Sequence, residues 1–464
     1  MMNLAGWKNK AGAAAPFVVQ LLVIMFVVEF VKGALLLTIL PVYMKTVLGA
    51  TAFVVGWSLA AQYIGDNVFR TPVGWLIDKA GYRLSMLIGI LLSGSSVLIM
   101  ATFTHHAWMV AACAMLGVGT APLWPAVIAG TTEVAGDKAK GTIMSVVYMA
   151  WLSGTGLGPV VINFFIHGSN YGPAYRLLLI SMGVVLLIAL FLPRKPLLRE
   201  DGEKREESRH APAGAAFPAG AAMEAGADPL GEAVTAAGGG TAAAAAAVMP
   251  AAGKKPLGER VKLYFGEVRA SLREMNVSVL LFPAMFIQTF ALGVLTPILT
   301  LYAREVLHLS PGQYSMLLIV GGGAAVALLV PVGKLVDRKG IKGLLTAGLI
   351  FSSVSLLALG FIRQLAAVYV VVGLLGIGYA LIIPSWNALI ASCVPKEKRG
   401  AVWGFFLTIE GLGMIVGPIV SGKLWDAFGP SVPFTVSGSV LLLLLALQWR
   451  ILAKSRGNTA NRTG

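Results

Sequence analysis

Residues 74–83 read Gly74-Trp75-Leu76-Ile77-Asp78-Lys79-Ala80-Gly81-Tyr82-Arg83. This charged turn lies between two long apolar segments, and it recurs later in the chain with its Gly, Asp, basic and Gly positions preserved. The second copy starts 259 residues further on and reads Gly333-Lys334-Leu335-Val336-Asp337-Arg338-Lys339-Gly340-Ile341-Lys342. A repeat of this size predicts two homologous halves, with the turn at the same place in each.

The composition indicates a membrane protein. Of 464 residues, 57% are hydrophobic and only 12% are charged, whereas soluble domains carry about 25% charged residues. The net charge of +15 comes from basic residues in short segments between apolar runs, which favours membrane lipids and not nucleic acid as partners. Cys113 lies in an apolar run and Cys393 beside a basic loop, so we expect no disulfide framework and no metal site.

The apolar segments predict an all-α protein, because a helix of about 20 residues crosses a bilayer with every backbone polar group satisfied. Twelve segments are long enough, and they are 16–44, 53–77, 83–103, 108–128, 141–165, 174–193, 277–302, 312–336, 343–362, 365–388, 400–422 and 432–453.

Three regions follow from this pattern. Residues 1–193 and 276–464 each hold six spans, and 194–275 separates them. The separating segment begins with a charge run and becomes rich in Ala, Gly and Pro, so we expect a largely disordered linker. Its last part, 257–275, fits either an amphipathic surface helix or a solvated linker end.

The basic residues also predict the orientation. With twelve spans, 28 Lys and Arg residues fall on the side of both termini and the linker, and 5 fall on the other side. Positive residues are concentrated in cytoplasmic loops. Both termini and the linker are therefore predicted to be cytoplasmic.

The 259-residue offset extends beyond the turn, since Gly and Pro positions of the second to fifth spans recur without insertion in the eighth to eleventh. The halves are thus predicted to be parallel six-helix repeats with a cavity between them near mid-bilayer. Two such halves with this turn after the second and eighth spans resemble the major facilitator superfamily over the whole chain outside the linker.

The resemblance implies a role for the turn. In that family it is a cytoplasmic latch, in which the Asp pairs with basic groups and a helix end and stabilises the outward-facing state. A solvated loop is the alternative. The implied latch residues are Gly74, Asp78, Lys79, Gly81 and Arg83, and in the second copy Gly333, Asp337, Arg338, Gly340 and Lys342.

A second motif, Gly154-Thr155-Gly156-Leu157-Gly158-Pro159, resembles the antiporter motif of drug:proton exporters in the superfamily. It departs from that motif at Ile162 and Asn163, where the exporters have glycines. Small residues let helices approach closely, and proline allows bending. The predicted packing and bending residues of the two halves are Gly154, Gly158, Pro159, Gly413, Gly417 and Pro418.

Five ionisable residues lie within the spans, namely Glu29, Lys32, Asp66, Arg70 and Glu410. Each costs ~2.5–3.5 kcal/mol at a helix centre on insertion scales, which makes each a functional candidate. Glu29 and Lys32 are spaced i, i+3, and Asp66 and Arg70 are spaced i, i+4, so each pair shares a helix face. They form either internal ion pairs that only neutralise each other or a proton-coupling site.

The offset supports the second interpretation, because the positions equivalent to the first four charges hold Gln288, Ala291, Ala325 and Leu329. A cavity with a polar, charged N-terminal wall and a mainly apolar C-terminal wall suits an amphipathic substrate. Trp124 and Trp151 fit either stacking on a ring of that substrate or simple packing. The pattern formed by these two residues with Glu29, Lys32 and Asp66 resembles that of the glycolipid flippases that supply lipoteichoic-acid anchors.

The sequence therefore predicts a secondary active transporter of a bacterial cytoplasmic membrane and not an enzyme. No ATP-binding loop of the Gly-x-x-x-x-Gly-Lys-(Ser/Thr) type is present, so the expected energy source is the proton gradient, without a cofactor. The first hypothesis is proton-coupled export of a lipophilic or amphipathic small molecule by a monomer. A proton-coupled glycolipid flippase and a non-transporting membrane sensor are the alternatives.

Overall fold

The structure is a computed structural model that describes residues 4–135, 140–166, 168, 170–193, 280–393 and 399–460. These residues are nearly all helical.

The N-terminal half begins with α1, Leu4–Ala34, whose axis continues through two π-helical turns as far as Val47. The helical stretch Ala52–Thr102 is interrupted at Gly81, where φ is 80° and ψ is 170°, so it forms α2 (52–80) and α3 (82–102). The remaining helices are α4, made of His106–Thr120 and Leu123–Ala135, α5, Lys140–Ile162, and α6, Gly172–Leu190.

The C-terminal half follows the same order. A π-helical turn, Tyr302–Val306, extends its first helix, as a similar turn extends α1. The helices are α7, Leu281–Leu301, α8, Pro311–Lys339, α9, Ile341–Leu359, α10, Leu365–Cys393, α11, Arg399–Phe428, and α12, Val432–Ala460.

The predicted internal repeat is confirmed at its turn. Gly340, between α8 and α9, has φ 81° and ψ 167°, and Gly81 between α2 and α3 has almost the same angles. Residues with a Cβ rarely adopt this region. Both halves therefore use a glycine at equivalent positions to turn the chain between their second and third helices.

Ten helical stretches of the described chain are long and apolar enough to cross a bilayer. The other two members of the two sets of six are α2 and α11, which carry ionisable side chains such as Asp66 and Glu410. The predicted all-α fold of two six-helix halves is confirmed, and the chain is a multi-pass membrane protein. The predicted disordered linker 194–275 and its helix 257–275 lie outside the described residues.

Each half has its own apolar core. Large apolar side chains also lie exposed on the outside of the bundle, for example Ile180 and Phe361, which are 65% and 72% exposed. A membrane protein has this second apolar surface because it faces lipid.

The two halves contact each other closely at the end of the bundle where α1 ends and α2 begins, which we call the far end because it lies opposite the chain termini. A Cβ added to Gly422 of α11 would lie 2.6 Å from Phe53 Cα of α2, so glycine lets these helices meet. Ser315 of α8 donates a hydrogen bond of 2.9 Å to the Val160 carbonyl of α5. The halves are thus joined at the far end by backbone-to-backbone packing and by hydrogen bonds.

Candidate transport site

The first part of the site is a pair of charges on α1. Lys32 Nζ lies 3.7 Å from Glu29 Oε1, one turn away on the same helix face. The Glu29 side chain is 2% exposed and that of Lys32 is 15% exposed. The predicted pair is therefore formed, and it faces the interior of the bundle and not lipid.

The second part is a pair on α2. Arg70 Nη2 donates to Asp66 Oδ2 at 3.0 Å, and both residues are buried. The backbone here packs tightly on α4, since a Cβ added to Gly117 would lie 2.8 Å from Asp66 N. Glycine in α4 is therefore needed to bring α2 to its observed position.

Lys32 joins the two pairs. Its Nζ atom lies 3.7 Å from Asp66 Oδ2, the same distance as from Glu29 Oε1. Glu29, Lys32, Asp66 and Arg70 thus form one buried network of two acids and two bases, which we call the four-charge network. Its formal charge is zero, which limits the cost of burying it.

Two polar residues that the sequence motifs did not single out contact this network. Thr155 of α5 donates to Glu29 Oε2 at 3.2 Å, and the Tyr63 side chain of α2 lies within electrostatic range of Lys32 and Asp66. The Tyr63 side chain also lies near Thr296 of α7, which brings the network close to the C-terminal half. Thr155 lies inside the motif that was interpreted as helix packing, so its chemistry was overlooked.

Several buried polar atoms around the network have no hydrogen-bond partner within the described part of the chain. They include Asp66 Oδ1, Arg70 Nε and both polar atoms of the Gln62 amide. Such atoms are rare in folded proteins because leaving them unpaired costs free energy. Their concentration beside four charges is typical of a site that binds a polar ligand or water.

Trp124 and Trp151 lie in contact with each other, with ring centroids 5.9 Å apart. Both are buried, and Tyr148 packs on Trp124 at 5.5 Å. Trp151 precedes Thr155 by one turn of α5, so the aromatic cluster continues the face that contacts Glu29. In this conformation the two indoles pack on each other, and their stacking on a ligand stays a prediction.

Glu410 does not join the network. It is buried in α11 near Trp386 of α10, and neither its Oε1 atom nor the Trp386 indole nitrogen has a hydrogen-bond partner among the described residues. No ion pair involving Glu410 is found among the described residues. The structure therefore separates this acid from the four charges with which it was grouped by sequence.

The structure only partly describes the predicted latch. The backbone is helical at Gly74, Asp78, Lys79 and Asp337. The side chains of the last three residues lie outside the description. Among the remaining latch residues, Arg338 is exposed, and Lys342 Nζ lies 5.9 Å from the centroid of the Trp449 ring. Gly81 and Gly340 form the turns, Gly333 and Arg83 flank them, and the latch role stays a prediction.

The predicted packing glycines lie where helices meet. Gly154 and Gly158 of α5 lie against the backbone of α1 at Phe26 and Phe30, and Gly413 and Gly417 of α11 lie against α7. Pro159 and Pro418 follow within the same helices. The α5–α1 contact in one half thus corresponds to the α11–α7 contact in the other, and it holds Thr155 against Glu29.

A second polar cluster, not predicted from sequence, closes the far end. Asp426 of α11 accepts hydrogen bonds from Ala52 N at 3.0 Å and Phe53 N at 2.8 Å, and so caps the first turn of α2. Lys45 Nζ lies 3.8 Å from the same carboxylate. We call Asp426, Lys45 and the α2 N-terminus the far-end clamp, because they tie the C-terminal half to the N-terminal half.

The fold and the site together define a carrier of the transporter type, with a buried charged site beside the interface of two six-helix repeats. The family model for the Major Facilitator Superfamily matches residues 21–266 and 281–463. The chain belongs to this superfamily, and the predicted recognition is confirmed.

Curated relatives extend over nearly the whole chain. A protein of Staphylococcus saprophyticus named proton-coupled antiporter flippase LtaA is 25% identical over 434 residues, 91% of each chain. The protein of the same name from Staphylococcus haemolyticus is 23% identical over 448 residues, 95% of this chain and 96% of that one. These names describe the relatives.

Solved structures share the fold. The nucleoside transporter NupG superposes with a TM-score of 0.67 at 13% identity, covering 94% of this chain and 98% of that one. The human organic anion transporter MFSD10 (TETRAN) has a TM-score of 0.56 at 18% identity, with coverage of 94% and 99%. The family and these structural neighbours are transporters, not enzymes.

Proposed function

We propose that this protein is a proton-coupled flippase, which moves a lipid with a polar, glycolipid-type head group across the membrane against a flow of protons. The observation that carries the proposal is the four-charge network, in which one lysine contacts two buried carboxylates at equal distance. The names of the relatives favour this function over the export of a soluble small molecule.

The network suits proton coupling because its two acids differ in their partners. Asp66 faces two cations, with Arg70 at 3.0 Å and Lys32 at 3.7 Å. Glu29 faces one cation, Lys32, and one hydroxyl, that of Thr155. Since an opposite charge stabilises a carboxylate, Glu29 is the acid that we assign to accept the transported proton.

Protonation of Glu29 changes the whole network. Its formal charge goes from zero to +1, and Lys32 is left with Asp66 as its acidic partner. Loss of that proton restores the neutral network, in which Lys32 again contacts a carboxylate on α1 and a carboxylate on α2. In this proposal the polar head group binds to the unpaired polar atoms beside Asp66 in one protonation state of Glu29. It is released in the other protonation state.

The asymmetry of the two halves suits a lipid substrate. The positions equivalent to the four charges hold Gln288, Ala291, Ala325 and Leu329. An apolar wall opposite a charged one accommodates acyl chains next to a sugar head group. A soluble polar substrate has no apolar part that could pack against this wall.

The test is movement of a fluorescent glycolipid between leaflets of proteoliposomes with and without an imposed pH gradient. The pH gradient is expected to accelerate movement by the unmodified protein, while Glu29→Gln and Asp66→Asn lose that acceleration. Glu305→Gln, which removes an acid outside the network, serves as the control and is expected to keep it.

The outcomes separate the three functions. Gradient-driven lipid movement that persists in both network variants rejects the assigned coupling site. Gradient-driven transport of a soluble dye without lipid movement indicates small-molecule export instead. If neither a lipid nor a dye moves, the result favours a membrane sensor.

A further inference from the structure

A second cavity lies apart from the four-charge network, at the far end of the N-terminal half. Its volume is about 530 Å³, and α1, α3 and α6 form its walls. We call it the far-end pocket, and its main lining residues are Tyr43, Val47, Ala101, Tyr171, Tyr175 and Arg176.

Three tyrosines pack against one another in the wall of the pocket. The Tyr43 ring meets Tyr171 edge-on at 5.2 Å between centroids and Tyr175 at 5.8 Å. Edge-to-face pairs of this kind are favourable arrangements of aromatic rings. The Tyr175 side chain is 5% exposed, and its hydroxyl has no hydrogen-bond partner among the described residues.

Arg176 makes the pocket cationic. It is exposed and forms no ion pair within the described chain, whereas three other basic residues at this end contact protein groups. Lys45 contacts Asp426, Arg304 donates to the Leu309 carbonyl, and Arg363 donates to the Tyr302 hydroxyl. Among the described residues, Arg176 is thus a cation at this end without a carboxylate in ion-pair contact.

The N-terminus of α6 adds to the positive potential. Its first turn holds no acidic residue, and its capping contact is neutral, since the Asn170 amide oxygen accepts from Gly172 N at 3.0 Å while Tyr171 makes no side-chain capping bond. The N-terminal end of a helix carries a partial positive charge, and Arg176 lies in the second turn of this one. An anion in the pocket is therefore favoured by a guanidinium and by a helix end together.

The pocket lies at the level of the lipid head groups. Ala101 in its wall is two residues from Phe103, whose ring stacks on Trp108 at 4.9 Å. Trp108 is 47% exposed, and exposed Trp residues of membrane proteins concentrate at the membrane–water interface. From Arg176 an exposed apolar stripe then continues along α6 towards the membrane interior through Ile180, Val184 and Leu187.

We propose that the far-end pocket binds one anionic phospholipid from the leaflet at this end of the bundle. Its phosphate lies against Arg176 and the α6 N-terminus, and its acyl chains follow the apolar stripe of α6. This inference does not rest on the proposed flippase function, because the pocket is separate from the four-charge network.

Native mass spectrometry of the purified, delipidated protein tests the proposal, with phosphatidylglycerol, phosphatidylcholine and inorganic phosphate added in separate arms. The unmodified protein is expected to retain one phosphatidylglycerol molecule in preference to phosphatidylcholine. Arg176→Gln is expected to lower that occupancy by about tenfold through loss of a charge-assisted contact, and Arg176→Lys is expected to retain most of it.

Lys423→Gln is the matched control, because Lys423 is an exposed basic residue at the same end of the bundle but outside the pocket. Unchanged phosphatidylglycerol binding by Arg176→Gln would overturn the proposal. So would equal loss in Lys423→Gln, equal retention of phosphatidylcholine, or displacement of the lipid by inorganic phosphate. Because lipid retention is read without transport, a failure here is distinct from a failure of the proposed function.

Discussion

Lys32 holds together the charges of two helices. It lies 3.7 Å from a carboxylate oxygen of Glu29 and 3.7 Å from one of Asp66, so its removal leaves two buried acids with Arg70 as the remaining base of the network. An uncompensated buried charge is costly, and breaking a buried ion pair from one side typically destabilises a protein by about 3–5 kcal/mol.

We therefore expect Lys32→Met to lower the thermal unfolding temperature of the purified protein. Adding Glu29→Gln to that variant removes the unpaired acid and returns the network to zero charge, so the double variant is expected to recover part of the lost stability. Neither variant is expected to respond to a pH gradient. Equal unfolding temperatures of Lys32→Met and the double variant would contradict the shared role of Lys32.

The sequence predicted part of this network. The i, i+3 and i, i+4 spacings correctly paired Glu29 with Lys32 and Asp66 with Arg70. The contact from Lys32 to Asp66 depends on how α1 and α2 lie side by side, which no spacing within one helix encodes. The hydrogen bond from Thr155 was missed for the same reason, because it joins residues 126 positions apart.

At the scale of whole helices, long apolar runs and an internal offset were sufficient to predict the two sets of six. The offset also predicted that Gly81 and Gly340 form equivalent turns. It gave no sign of the far-end clamp, because Asp426 binds the α2 N-terminus across 374 residues of chain. An isolated Asp beside a loop carries no recognisable motif, so this contact became visible only in three dimensions.

The far-end clamp predicts a change in conformational equilibrium. Asp426→Asn removes the ion pair with Lys45 and weakens two charge-assisted hydrogen bonds to the α2 backbone, so closure at the far end is expected to become about tenfold less favourable. Spin labels at Val47 and Ala427, exposed positions on the two sides of the clamp, report the change as longer distances in electron spin resonance. Lys423→Gln, one turn earlier on α11, is expected to keep the short distance.

At the scale of the whole molecule, the polar contacts found between the halves among the described residues lie towards the far end. The far-end clamp, the bond from Ser315 to the Val160 carbonyl, and the bond from Thr300 to the Leu37 carbonyl all lie there. Alternating access requires one end of the bundle to close while the other opens. The conformation described here is therefore the one that is closed at the far end.

Which compartment the far end faces depends on the orientation, and the basic residues predict it. With 28 Lys and Arg residues on the side of the termini and 5 on the other, the termini are expected in the cytoplasm. The test uses single cysteines at two exposed positions, Thr104 in a loop at the far end and Lys339 at the end of α8 on the opposite side. Cys393 is replaced by Ala, and Cys113 is buried.

A membrane-impermeant maleimide is expected to label Thr104→Cys in intact cells and Lys339→Cys only after permeabilisation. That result would make the present conformation one that is closed to the outside, with the far-end clamp on the outside and the far-end pocket at the outer leaflet. The reverse labelling would contradict the charge-based orientation. The same structure would then be closed towards the cytoplasm, with the far-end clamp on the cytoplasmic side.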